Sequence, residues 1–220
     1  MRVRAVLLIS LALAAGRGAA APDPRDESEA LFDAPSAASV NEGELVFLAR
    51  LPDKPVHHHQ NQVRIDARSL HDGWVLLAQC HVDLDAVPRS QVMFSRDRTR
   101  DLRVTAAGGI GAAWVEDNTV QLKDTARGAY LCIEARSRAL TRQPDGSFVL
   151  RNGPYLRRFL DGYYPMHVTM RVSLDVPLAL VETRPAAQAG FEVRSLQDEV
   201  YYDARFEGRL VTELRFRRTD

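Results

Sequence analysis

From Gly43 onward the apolar and polar residues alternate with a period of two rather than 3.6, the pattern of half-buried strands. The clearest run is His167–Val176. Val168, Met170, Val172, Leu174 and Val176 fall on one face, and His167, Thr169, Arg171, Ser173 and Asp175 on the other. Val200, Tyr202, Ala204 and Phe206 alternate in the same way, as do Leu210, Thr212, Leu214 and Phe216, and Glu207-Gly208 between them reads as a hairpin turn. Trp74 to Val82 is apolar on both faces, which predicts a central strand. Gln91–Ser95 and Arg100–Thr105 read as two arms of a hairpin.

The turn sequences His71-Asp72-Gly73, Pro144-Asp145-Gly146 and Asn152-Gly153-Pro154 punctuate the rest. The pattern predicts an all-β fold, an antiparallel sandwich or open barrel of about a dozen short strands. One short helix is expected near residues 154–161, with Pro154 in its first turn, Gly162 as its cap, and Tyr155, Leu156, Phe159 and Leu160 on its apolar side.

The beginning of the chain has a different texture. Arg2 and Arg4 precede an apolar run from Ala5 to Ala15, and Gly18 to Ala21 are small residues. That is the layout of a cleaved secretory signal over residues 1–20, and its apolar run is shorter than the roughly 20 residues of a membrane span. Residues 21–42, acidic and rich in Ala, Ser and Pro, read as a flexible lead. Residues 43–220 read as a single β-rich domain, and the expected location is periplasmic or secreted. No later stretch has the length and hydropathy of a transmembrane helix.

Charge narrows the classes of partner. Without Arg2, Arg4 and Arg17 the 29 basic residues fall to 26 against 29 acidic, a net charge of −3. Nucleic-acid binding calls for a strongly basic surface, so that class is set aside. An unknown protein or small-molecule ligand is the expected partner. Cys80 and Cys132 are the only cysteines. In an oxidising compartment they are expected to form a disulfide between two core strands.

Candidate chemistry is sparse. Gly109-Ile110-Gly111 has the first two glycines of a dinucleotide loop, but Trp114 stands where the third should be and no βαβ pattern surrounds it. A bulge between strands is the reading that fits. In Val56-His57-His58-His59-Gln60-Asn61, an extended backbone puts His57 and His59 on one side, where they would chelate copper or zinc as His-x-His. The same residues would also serve as a plain polar strand.

His81, Asp83 and Asp85 share a side if their segment is extended, as metal ligands or an acid–base group or simply as a polar strand end. Tyr163 and Tyr164, with Met166 and His167, would form a binding surface or only cover a sheet end. No catalytic nucleophile constellation is visible. The sequence therefore points to an exported, non-enzymatic binding protein. The competing class is a copper or zinc protein, or a metalloenzyme, built on His57, His59, His71, His81, Asp83 and His167.

Overall fold

The computed structural model describes residues 43–159 and 162–219. The expected signal segment and acidic lead, residues 1–42, lie outside these residues. Fifteen strands occupy most of the described chain.

The larger sheet is built outward from β2 (His58–Ile65). On one side β2 pairs in parallel with β11 (Met166–Leu174), which pairs antiparallel with β14 (Glu199–Glu207). β1 (Val46–Phe47) and β13 (Phe191–Ser195) share the far edge of β14. On its other side β2 pairs with β3 (Trp74–Leu84), and β3 with β6 (Thr119–Arg138). β4 (Val87–Met93) prolongs β3 along the same edge of β6, and β5 (Thr99–Glu116) forms the opposite edge.

The second sheet has the order β12 (Leu178–Arg184), β15 (Leu210–Arg218), β8 (Phe148–Tyr155), β7 (Leu140–Arg142). β9 (Arg158–Phe159) and β10 (Gly162–Tyr163) make a small ribbon.

Period-two alternation explains the main core. Val168, Met170 and Val172 of β11, Val200, Tyr202 and Phe206 of β14, and Val63 and Ile65 of β2 point inward. They meet Leu150 of β8 and Leu210, Leu214 and Phe216 of β15 from the second sheet. This is the expected sandwich, held by apolar burial worth about 1.5–3 kcal/mol for each large side chain.

A second, smaller core gathers Val120, Leu122, Leu131 and Ile133 of β6, with Val92, Phe94, Val104 and Ile110 packed against them. It forms because the long β5–β6 hairpin bends. Ile110 pairs with Thr125 but Gly108 with Tyr130, so residues 126–129 stand opposite Gly109 alone. Gly109 and Gly128 take the left-handed conformation such a bend requires. The Gly109-Ile110-Gly111 sequence is therefore a strand irregularity, as its lack of a βαβ setting indicates.

Four local expectations are corrected. No helix lies at 154–159. The ladder from β15 to β8 runs on to Tyr155, whose buried ring is the inward end of a strand, and residues 160–161 lie outside the described ones. The short helix is instead α1 (Ser69–Asp72), where Asp66 Oδ1 accepts the Ser69 amide (2.8 Å) and Gly73 closes the end. β14 and β15 are not a hairpin: Gly208 carries the chain from one sheet to the other, close against the Glu44 carbonyl. Nor do β4 and β5 pair with each other, because the 3₁₀ turn Arg96–Arg98 leads them to opposite edges of β6. The sheets are antiparallel except at the β2–β11 pair.

Candidate functional site

Cys80 and Cys132 face each other across β3 and β6, Cα to Cα 4.1 Å, and form the expected disulfide. It ties the middle of the larger sheet, beside the polar residues of β2.

Two registers define those residues. One row across the sheet reads Val168, His59, His81, Leu131, and the next reads Met170, Asn61, Gln79, Ile133. The outer members of each row belong to the main core on one side and the small core on the other. The four inner members are polar, and all four are buried. A polar seam thus runs between the two apolar cores, on the inward face where alternation alone would put Val or Leu.

His57 joins the seam from the residue before β2. As the alternate spacing predicts, it lies on the side of His59, with ring centroids 6.3 Å apart. The His81 ring stacks 4.2 Å from that of His59 and 5.2 Å from that of His57. The edge of the Tyr155 ring meets His59 at 5.1 Å from the second sheet.

The hydrogen bonds fix the tautomers. The Gln79 amide donates to His81 Nε2 (2.7 Å), which leaves the His81 proton on Nδ1, and that N–H donates to His57 Nε2 (3.0 Å). Asn61 Nδ2 donates to the Thr169 carbonyl (3.1 Å). His59 has only the Gln79 side chain near it as a long polar contact: both of its ring nitrogens are buried outside hydrogen-bond geometry.

Burial governs the charge of the seam. Desolvation, with a smaller push from Arg157, lowers the His57 pKa to about 4, while Asp85 partly offsets it. Desolvation, then His57, lowers His59 to about 3, with Gln79 opposing. His81 is held well below the ordinary histidine value by the same burial and by its two imidazole neighbours. All three rings are neutral at pH 7. At the rim, Arg157 Nε donates to Asp85 Oδ2 (3.1 Å) and Arg157 Nη1 to the Pro165 carbonyl (3.2 Å), so the nearby cation is paired.

The other sequence candidates lie elsewhere. His58 and His167 face the opposite, outer side of the sheet, their rings stacked at 3.9 Å. His58 Nε2 contacts Thr169 Oγ1 (2.9 Å), and His167 Nε2 contacts Asp203 Oδ2 (3.0 Å). The Asp203 carboxyl sits below its ordinary pKa: burial opposes ionisation, and the hydrogen bond and charge of His167 with the charge of Arg205 outweigh it.

His81, Asp83 and Asp85 do not share a side. β3 bulges between His81 and Leu84, and Asp83 takes a positive φ of 57°. Asp83 acts on His58 across the outer face, and Asp85 turns to Arg157. Met166 is core. Tyr164 and Tyr163 stack under Arg157 and Arg158, with 5.4 and 5.6 Å between guanidinium carbon and ring centroid. His71 is exposed in α1.

Reasoning from sequence did not single out Gln79, Tyr155 and Arg157 as site residues. Their only signal was polarity at inward or strand-end positions. Among the described residues, no group of three or more His, Cys, Asp or Glu side chains could hold a metal ion. The stacked rings of the seam direct their lone pairs in nearly parallel planes.

No family model matches the chain, and no curated protein matches it. A crystal structure of a mutant two-domain M1 zinc metallopeptidase bound to L-tryptophan is similar over 73% of this chain and 42% of that one. It is 13% identical, with a TM-score of 0.40. A likeness of that degree carries no argument about fold or function. Among the described residues no helix is long and apolar enough to cross a membrane, which says nothing of membrane β-barrels.

Proposed function

We propose that this chain is an exported, non-enzymatic binding protein whose ligand site is the imidazole seam of His57, His59 and His81. One observation carries the reading: His59 is buried with both ring nitrogens unpartnered. An unsatisfied buried polar group costs about 1–3 kcal/mol, so a native structure that keeps one calls for a bound partner or a chemical role. An apolar residue in the same row would join the two cores without that cost.

Binding is favoured over catalysis by the company the rings keep. The imidazoles pair with one another and with an amide, and the neighbouring Asp85 is tied to Arg157. Cys80, next to His81 and opposite Gln60, is held in a disulfide. Export is supported by the charged, apolar and small-residue leader, and a disulfide accords with an oxidising compartment.

Native mass spectrometry of protein recovered from the periplasm or medium tests the reading. The expected species begins at Ala21 or Pro22, keeps one disulfide and carries an added mass that denaturation releases. Recovery of the bare chain alone, under conditions that preserve weak complexes, contradicts it.

A further inference from the structure

We infer that the outer edge of β5 pairs, antiparallel and about a two-fold axis, with the same edge of a second copy of this chain, so that the larger sheet runs on through a dimer. The inference goes beyond the seam and does not depend on it.

β5 hydrogen-bonds β6 along one side, and among the described residues its other side pairs with no strand. An edge strand presents a row of unpaired amides and carbonyls, and proteins guard such rows with charge, proline or brevity. The other outer strands are guarded in this way. β4 carries Pro88 and Arg89, β12 Glu182 and Arg184, and β13 Glu192 and Arg194, while β1 and β7 have only two and three residues. β5 has 18 residues, and from Val104 to Val115 it holds neither a charge nor a proline. Trp114 and Val115 at the end of that stretch are exposed.

Faces and charges select a second copy as the occupant. Residues opposite each other in an antiparallel pair share a face. Val104 packs against the small core, and Val115 lies opposite Val120, which is buried there, so both point to that side. Their neighbours Arg103 and Glu116, opposite Glu134 and Thr119 of β6, point to the outer side. A register that sets Arg103 against Glu116 of the second copy therefore matches faces. The two-fold axis then sets Glu116 against Arg103 of that copy, so opposite charges close both ends of an uncharged stretch. Arg103 already meets Glu134 in an exposed ion pair, and in the dimer it stands between two carboxylates. A foreign strand would have to bring matching charges of its own.

The interior of the stretch fits the same register. β5 has one extra residue at Thr105, because Val104 stands opposite Ile133 and Ala106 opposite Cys132. Past that bulge, Ala106 comes opposite Trp114 of the second copy and Gly108 opposite its Ala112. The indole thus lies over small residues, within diagonal reach of the Tyr130 ring that rests against Gly108. The axis falls at Ile110, in the bend. Because it is normal to the sheet, both copies bend to the same side there, and the bend does not oppose pairing.

The test is sedimentation velocity of the tag-free, full exported chain over a range of concentrations, with hydrogen exchange followed by mass spectrometry on the same samples. A monomer–dimer equilibrium is expected, in which residues 104–115 gain protection as the dimer forms. Ala106→Lys, a charge of the kind that guards natural edges, should leave a monomer. Arg103→Glu and Glu116→Arg each set like charges opposite one another at both ends and should weaken the dimer roughly 3–30-fold. The double reversal Arg103→Glu/Glu116→Arg should bind more tightly than either single variant. All three positions are exposed, and the far-ultraviolet β signal should not change. Should Ala106→Lys fail to fold, the charge reversals give the same readout.

A chain that stays monomeric at every concentration overturns the inference, as does a dimer in which 104–115 exchanges as fast as in the monomer. Protection of 104–115 that persists at every dilution would put another segment of the same chain on the edge, and growth beyond a dimer would mean open-ended strand stacking. Either result overturns it as well.

Discussion

Lowering the pH should unfold the protein well above the range in which its carboxylates titrate. An unfolded histidine has a pKa near 6.5. In the folded chain His57 is lowered to about 4, His59 to about 3, and His81 well below its ordinary value, all chiefly by burial. A depressed folded pKa means that the unfolded chain takes up protons first. The stabilisation is complete above pH 6.5 and is lost as pH falls toward the folded values.

Each ring contributes a slope of up to about 1.4 kcal/mol per pH unit in that window, and the three together about 4. At pH 5.5 the loss is about 4 kcal/mol, and at pH 5 about 6, comparable with the whole stability of a typical domain. Half-buried His58, also lowered to about 4 chiefly by burial, adds a smaller, solvent-screened part. Urea denaturation followed by tryptophan fluorescence at pH 7, 6, 5.5 and 5 reads this directly. Replacing His81 by Leu should reduce the slope by roughly one third. A stability that is flat between pH 7 and 5, or a slope unchanged in His81→Leu, would refute the picture of three neutral buried imidazoles.

Other perturbations have separate readouts. Cys80→Ser/Cys132→Ser removes a link that closes 52 residues, and should cost up to about 4 kcal/mol in the urea midpoint without loss of the far-ultraviolet β signal. No change would mean that the denatured state is already confined. Gly208→Ala forces a side chain into a backbone with φ of +84° and to within 2.2 Å of the Glu44 carbonyl. Its melting temperature should drop by several degrees, and an unchanged value would deny that this turn is tight. Phe206→Ala, at the centre of the main core, should cost about 3–5 kcal/mol by the same urea assay. A cost below 1 kcal/mol would mean that the two sheets do not pack as described.

Alternation made the fold class legible, because a strand half-buried in a sandwich exposes its period directly, and His167–Val176 lies within one residue or two of β11. Connections between strands were less legible. Glu207-Gly208 has the composition of a hairpin turn, but whether the next strand returns beside its neighbour or crosses to the other sheet depends on the main-chain contact with Glu44. The supposed helix after Pro154 had four apolar residues at helical spacing, and the long-range ladder with β15 outweighed them.

At the site, the shared side of His57 and His59 followed from parity alone. His81 entered through cross-strand register, which one chain's spacing does not encode. Asp83 was misplaced because the parity argument assumes an unbroken strand, and the bulge after His81 reverses it. Gln79 and Tyr155 are ordinary residues in sequence and become informative only once Gln79 is seen between the two cores and Tyr155 against the His59 ring.

The central claim is that the seam is kept for binding and not for packing, and the stability of ligand-free His59→Leu tests it most directly. Leucine removes two unpartnered nitrogens, a gain of about 1–3 kcal/mol, and gives up ring contacts with His81 and Tyr155 worth about 1 kcal/mol. At pH 7 the urea midpoint of the variant should rise, by about 1 kcal/mol in stability. A fall of 2 kcal/mol or more would mean that His59 is a packed structural residue, and would contradict the account.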